Sequence, residues 1–167
     1  MGEFIFNQYN IPKDKWRYGF RPSAITGCGW IATYNALKIM GHNPSPEMLI
    51  RSYERQMPLI NGNLGTVIFS PALWFRKRGY QVKTVIDREK FDEAAKNADA
   101  CLVFYRWIRE YKGGAHFVAL RYDGENFFGY NVYRNSTGPE HLGRSLDGFL
   151  KRRKYFGAVL FAIKERR

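Results

Sequence analysis

The chain has 167 residues and a formal net charge of +12, from 27 basic and 15 acidic side chains. Apolar residues make up 45% of it, with 13 Phe, 11 Tyr and 4 Trp, so it can bury a sizeable core and is not an intrinsically disordered chain. No run reaches the roughly 18–20 apolar residues that a membrane helix needs, and the length favours one domain over residues 1–167.

Helical periodicity dominates the first half of the chain. Apolar residues recur at helical spacing after Cys28 and stop at Gly41, and prolines open the next two segments. The turns at 41–46 and 58–65 separate these segments. The predicted helices cover residues 28–40, 46–56, 70–79 and 88–98.

Strand patterns dominate the second half. One further helix is predicted over 145–153, and turns are predicted at 122–126 and 134–140. The predicted strands cover residues 81–86, 100–107, 115–122, 126–133 and 155–163. This order predicts an α+β fold in which N-terminal helices pack on a C-terminal antiparallel sheet.

Cys28 stands where the first helical pattern begins. A thiol at a helix N-terminus meets the positive end of the helix dipole and unpaired backbone N–H groups, which favour the reactive thiolate. Thr26 or Ser23 is a candidate helix cap, and Gly27 and Gly29 would let a substrate backbone approach. The N–H of Cys28 itself would form half of an oxyanion hole. The competing interpretation is a small buried hydrophobe.

The other cysteine and two of the histidines have no comparable setting. Cys101 lies inside an apolar strand and is interpreted as core. His42 lies in a turn and His141 in a polar loop, and none of the histidines has metal-ligand spacing. With two cysteines and no C-x-x-C motif, we expect no disulfide framework, no metal and no cofactor.

His116 follows Gly-Gly and opens an apolar strand, the setting of a catalytic base held rigidly at a sheet edge. The alternative is a histidine satisfied within the core or at its edge. A third group would accept the Nδ1–H of the ring. The hairpin over 115–133 returns Asn131 to the level of His116, so we favour Asn131 over Asn135, which lies beyond the strand, and over Asp123 in the turn.

These motifs together resemble the papain-like cysteine peptidases, and most closely the bacterial bacteriocin-leader-processing (double-glycine) peptidase domains. In that family a Cys-Gly pair opens a long helix, a His-Phe/Trp-Val strand follows about ninety residues later, and an Asp or Asn lies on the next strand. The matching residues span about 20–135 and include CGW at 28–30, HFVAL at 116–120, the turn at 122–124 and Asn131. The segment 65–85 resembles the element that precedes the family's His strand.

The chain departs from these families at one position. They place a glutamine about six residues before the cysteine, where its amide donates to the oxyanion hole, whereas RPSAIT stands here. Gln8 lies twenty residues upstream and reaches the site only if the N-terminal segment folds back. Tyr18, Arg21 and Ser23 are the other candidate donors. Loss of such a donor costs ~10²–10³ in rate, so an inactive relative stays an open alternative.

The resemblance implies a thiol peptidase or amidase that acts on a peptide or protein through a thioester on Cys28, with His116 and Asn131 as its partners. Two alternatives stay open: a non-catalytic binding domain of the same fold, and an acyltransferase of transglutaminase type. The basic charge is interpreted as a solvated surface, because no nucleic-acid motif accompanies it. The N-terminal residues do not form a secretory signal, so we expect a cytoplasmic chain. The sequence leaves the oligomeric state and the substrate open.

Overall fold

The computed structural model describes residues 3–55, 65–110 and 112–166. Most of the turn predicted at 58–65 lies outside these ranges. In the described part, the helices precede most of the sheet along the chain, as the sequence predicts. The helices are α1 (Ser23–Thr26), α2 (Cys28–Ile39), α3 (Pro46–Glu54), α4 (Ser70–Arg76), α5 (Phe91–Lys96) and α6 (Leu146–Arg152).

The strands form two sheets within the described residues. A short hairpin, β1 (Arg17–Tyr18) and β2 (Arg21–Pro22), precedes α1. The main sheet has six strands in the order β3-β8-β4-β5-β6-β7, and every neighbouring pair is antiparallel. Its members are β3 (Gln81–Val85), β4 (Ala100–Arg109), β5 (Lys112–Tyr122), β6 (Phe127–Tyr130), β7 (Glu140–Gly143) and β8 (Tyr155–Lys164).

Each face of the main sheet is covered by helices, because its central strands are apolar on both faces. Phe104 and Phe117 point to the face that packs against α1–α4. Tyr105 and Val118, their neighbours along the strands, point to the face that packs against α5 and α6. The predicted packing of N-terminal helices on the sheet is therefore confirmed, and the C-terminal helices add a layer on the other side.

Two features of the sheet differ from the sequence prediction. The strand predicted over 126–133 ends at Tyr130, because Asn131 takes a left-handed conformation with φ 63° that interrupts the pleat. The segment predicted as a turn over 134–140 leads into β7, an edge strand whose four residues are too few for a periodic signal. Among the described residues, no helix is both long enough and apolar enough to cross a membrane.

The start of α2 is fixed by close contacts with the chain around it. A Cβ at Gly29 would lie 2.3–2.8 Å from side-chain atoms of Thr66, and a Cβ at Gly27 would lie 2.5 Å from the carbonyl oxygen of Ser23. Both glycines are buried. Packing inside the protein therefore requires glycine on both sides of Cys28.

Replacing Gly29 by alanine is expected to lower the free energy of unfolding by ~1–3 kcal/mol, because the added methyl group overlaps the Thr66 side chain. Urea unfolding of Gly29→Ala and of the double variant with Thr66→Gly measures the effect, and the two changes should be less than additive. Gly148→Ala in α6 is the matched control, since its Cβ would meet only an Arg152 nitrogen at 3.5 Å. Equal free energies of unfolding for Gly29→Ala and Gly148→Ala would contradict the close contact between Gly29 and Thr66.

Candidate active site

Cys28 is the first residue of α2, and its side chain is half-buried. The helix has Gly27 at its N-cap and no side-chain cap, so the caps predicted at Thr26 and Ser23 are wrong. The backbone N–H groups of Phe117 on β5, of Gly29 and of Cys28 itself act on the thiol, and each lowers its pKa. The uncapped first turn thus presents its N–H groups to the thiol, as expected for a helix N-terminus.

Burial nevertheless raises the pKa of the Cys28 thiol above its ordinary value, and the backbone N–H groups offset only part of that rise. The free energy of desolvating the thiolate here exceeds the stabilisation that the start of the helix provides. The sequence predicted the opposite direction, because burial cannot be read from the TGCGW motif. The resting form is therefore the neutral thiol.

His116 and Cys28 lie against the same stretch of sheet edge. The β5–β6 pairing begins at Ala119 and Tyr130, so β6 does not cover the beginning of β5. Cys28 packs on the α2 side beside this uncovered stretch, where the Phe117 N–H lowers the pKa of its thiol. The His116 ring lies 6.2 Å from the ring of Tyr105, with which it pairs across β4 and β5 on the α6 side. No hydrogen bond within the described residues joins Cys28 to His116, so their pairing stays a prediction.

The His116 ring is held by a backbone carbonyl. Its Nε2 lies 2.6 Å from the carbonyl oxygen of Asn131. A carbonyl only accepts, so Nε2 carries the proton and the lone pair of the neutral ring is on Nδ1. The sequence predicted that a third group would accept the Nδ1–H. In the structure the acceptor is the backbone carbonyl of Asn131, and the proton that it accepts is on Nε2.

The surroundings of His116 keep its ring neutral. Burial lowers its pKa to about 4, with a further lowering by the Arg153 guanidinium, while the hydrogen bond to Asn131 acts in the opposite direction. Since this value lies below the ordinary ~6.5, the ring binds no second proton at neutral pH and becomes charged only as the pH falls through about 4. Its Nδ1 lone pair is therefore available as a base.

The Asn131 side chain bonds to the N-terminal segment. Its Oδ1 accepts the backbone N–H of Gln8 at 2.9 Å, and its Nδ2 donates to Gln8 Oε1 at 3.0 Å. The asparagine predicted to orient His116 does so through its main chain, while its amide holds Gln8. The left-handed backbone of Asn131, which asparagine tolerates better than most residues, allows both contacts.

The N-terminal segment folds back and brings Gln8 to the site, which is the condition for its predicted role as an oxyanion donor. The residue is 3% exposed, and its Nε2 donates to the carbonyl oxygen of Ala24 at 3.1 Å. The orientation of both amides follows from the backbone. The Gln8 N–H requires the Asn131 oxygen, so the Asn131 NH₂ faces the Gln8 oxygen and the Gln8 NH₂ faces Ala24. One hydrogen of that NH₂ has no partner within the described residues.

The other residues predicted to contact the oxyanion or the substrate make contacts within the protein. Ser23 is fully buried, and its hydroxyl accepts the indole N–H of Trp30 at 3.2 Å. Gly27 and Gly29 are buried against their neighbours. Tyr18 is also buried, with its hydroxyl accepting from Thr66 at 3.5 Å. These contacts support the start of α2, and a role of these residues toward a substrate stays a prediction.

A cavity of about 380 Å³ lies beside His116, and Cys28 is not among the residues that line it. Asn135 lines it too, but no hydrogen bond in the described part of the chain links its side chain to His116. Most of the other lining residues were not expected from the sequence, among them Trp107 and Arg153. Trp107 could have been found by its place opposite Gly114 on the β4–β5 hairpin, whereas nothing distinguishes Arg153 among the basic residues near it.

The comparison with solved structures identifies the fold. The peptidase domain of Streptococcus ComA, described as a bi-functional ABC transporter involved in a quorum-sensing pathway, matches with a TM-score of 0.54 and 13% identity. The match covers 83% of this chain and 91% of that domain. The chain has a papain-like peptidase fold. The predicted resemblance is confirmed at this level, while no family model and no curated protein matches the sequence.

Alkylation of native Cys28 is expected to be slow at pH 6–7 and to rise about tenfold per pH unit past the ordinary thiol value of ~8.5, because only the thiolate reacts. Iodoacetamide labelling with peptide mass analysis measures the rate. Cys101 is the internal control, since it is buried and its pKa is raised to about 12. A labelling midpoint for Cys28 below pH 7 would show that burial does not dominate.

Two substitutions of Asn131 separate its two contacts. Asn131→Gly keeps the carbonyl and the left-handed backbone but leaves Gln8 unpaired, at a cost of ~1–3 kcal/mol for a buried polar group. Asn131→Asp should cost more at neutral pH, because a carboxylate oxygen then faces Gln8 Oε1. Urea unfolding gives the stabilities, and the His116 NMR signals report the ring, which should stay in place in the glycine variant. Asn135→Ala is the control. Displacement of the His116 ring in the glycine variant alone would assign its orientation to the Asn131 side chain.

Proposed function

We propose that this protein is a thiol peptidase or amidase that cleaves a peptide or amide bond through a thioester on Cys28. The observation that carries the proposal is the hydrogen bond from His116 Nε2 to the Asn131 carbonyl oxygen. It leaves Nδ1 as a base at the edge of β5, where the neighbouring Phe117 N–H acts on the Cys28 thiol and lowers its pKa. A papain-like fold supports a nucleophile at the start of α2 and its base on the sheet.

The steps follow from the neutral resting pair. The thiol proton passes to His116 Nδ1 as the Cys28 sulfur attacks the substrate carbonyl carbon. The C–N bond then breaks, and the proton on Nδ1 goes to the departing amine. A water molecule gives a proton to Nδ1 and attacks the thioester, the C–S bond breaks, and the proton returns to the sulfur. Because neither group is charged at rest, proton transfer accompanies the attack.

Gln8 is proposed as a donor to the oxyanion. Its side-chain NH₂ already bonds to Ala24, one helical turn before Cys28, and keeps one hydrogen free of partners in the described residues. The amide is held by Asn131 before substrate arrives, and such preorganisation makes an oxyanion donor effective. In this interpretation, a glutamine far from the cysteine in sequence takes the role that the related families give to a closer one.

A non-catalytic binding domain of the same fold is the competing proposal. It is favoured by the direction of the two pKa shifts, because burial raises the pKa of Cys28 and lowers that of His116. Both shifts disfavour the thiolate–imidazolium form at rest and make a weak or absent activity compatible with the geometry. Peptide cleavage distinguishes the two proposals.

The full chain is expected to cleave at least one bond in a mixed peptide library, read by mass spectrometry in H₂¹⁸O. Each new carboxyl terminus should contain one ¹⁸O atom from the attacking water. Cys28→Ala and His116→Ala should abolish cleavage, and Gln8→Ala should lower kcat by ~10²–10³. Cys101→Ala, in the core and far from the proposed chemistry, is the control with retained activity.

Other results decide against hydrolysis. Cleavage that survives in Cys28→Ala would refute the proposed nucleophile. Transfer of the acyl group to added glycinamide, without ¹⁸O uptake, would identify an acyltransferase. A folded wild-type chain that cleaves nothing and forms no thioester would favour the binding domain.

A further inference from the structure

The cavity beside His116 is rich in cationic and aromatic groups. Arg153, the residue that caps the C-terminus of α6, lines it together with Arg134, Tyr133 and Trp107. Arg153 lies 4.9 Å from the ring centre of Tyr133, and its Nε donates to the hydroxyl of Tyr105 at 3.2 Å. Arginine held this way has a fixed orientation, and its two terminal nitrogens remain as a fork.

Within the described residues, no acidic side chain pairs with this charge. The residues that line the cavity include no Asp or Glu. In the described part of the chain, neither Arg153 nor Arg134 forms an ion pair, and the terminal nitrogens of Arg153 donate no hydrogen bond. Asp147, the acid of α6, is already paired with Arg88 and Lys151. A half-buried guanidinium fork without a counter-ion is suited to bidentate binding of a carboxylate.

The position of the cavity indicates which part of a substrate would enter it. In the proposed mechanism His116 gives its proton to the departing amine, so the leaving group must lie on the His116 side. Ala115 and His116 form one wall of the cavity, and the guanidinium of Arg153 is near enough to lower the pKa of the ring. The leaving group therefore extends past His116 toward Arg153.

We infer that the cavity beside His116 binds a carboxylate of the leaving group through Arg153, with Arg134 as a second cation. This inference rests on the proposed function and adds a substrate class to it: peptides or amides whose leaving amine bears an acid. The carboxylate has two sources, the α-carboxylate of a short leaving group and the side chain of Asp or Glu. Both present the same planar anion to the guanidinium fork.

Direct binding tests the inference without turnover. The full chain with Cys28→Ala, at low salt and without carboxylate buffers, is titrated with three probes while NMR follows the His116 and Trp107 signals. Glycylglycine carries an α-carboxylate, glycylglutamic acid α-amide carries only a side-chain carboxylate, and glycylglutamine amide carries neither. At least one acid should bind about tenfold more tightly than the neutral amide, and the stronger one identifies the source.

Matched variants locate the binding group. Arg153→Gln should weaken binding of the preferred acid about tenfold and leave binding of the neutral amide unchanged. Arg153→Lys should restore part of the affinity for the acid, since lysine keeps the charge without the fork. Arg134→Gln, on an exposed residue that poses little risk to folding, should cause a smaller loss. Arg152→Gln is the control for charge, because Arg152 is exposed and bonds to the Leu142 carbonyl at 2.7 Å.

Equal binding of the three probes, no binding of either acid, or equal weakening by the Arg153 and Arg152 substitutions would each overturn the inference. Peptide cleavage tests the proposed function separately. If the chain binds the acid through Arg153 but cleaves no peptide, the carboxylate site is supported and the catalytic proposal is refuted. If the chain cleaves peptides but shows no preference for the acids, the catalytic proposal is supported and the carboxylate site is refuted.

Discussion

The candidate site depends on the conformation of one residue at the end of β6. Asn131 leaves the pleat in a left-handed conformation, which directs its carbonyl to His116 and its side-chain amide to Gln8. The same change ends the pairing of β6 with β5, so the beginning of β5 lies open to the Cys28 sulfur. The side-chain amide of Gln8 thus connects the N-terminal segment to the end of β6 and to α1, the helix that precedes Cys28.

Burial sets the electrostatics of this site. Desolvation is the largest influence on both Cys28 and His116, and in each case it favours the neutral form. The helix start acts in the opposite direction on Cys28 but does not prevail. Arg153 adds to the lowering of the His116 pKa, so an anion bound to that guanidinium would partly restore the affinity of the ring for a proton. Charge on a ligand would then favour the acid form of His116 that a leaving amine requires.

Much of the architecture could be predicted from local patterns. The start of α2 at Cys28 follows from glycine and helical spacing, and the strand carrying His116 follows from its apolar run. Asn131 could be brought near His116 by counting along a hairpin. The count could not identify the atom that makes the contact, because a change of φ at one residue exchanges the roles of its main chain and its side chain.

The sequence by itself determined the α+β layout and the resemblance to a papain-like fold, since periodicity and spacing are properties of neighbouring residues. Only the tertiary structure decided that Gln8 lies at the site, that the pKa of the Cys28 thiol is raised, and that a cationic cavity lies beside His116. Gln8 is 123 residues from Asn131, and Arg153 reaches Tyr105 across 48 residues. Contacts at such separations, and the desolvation that accompanies them, depend on how the layers pack. No local pattern records that packing.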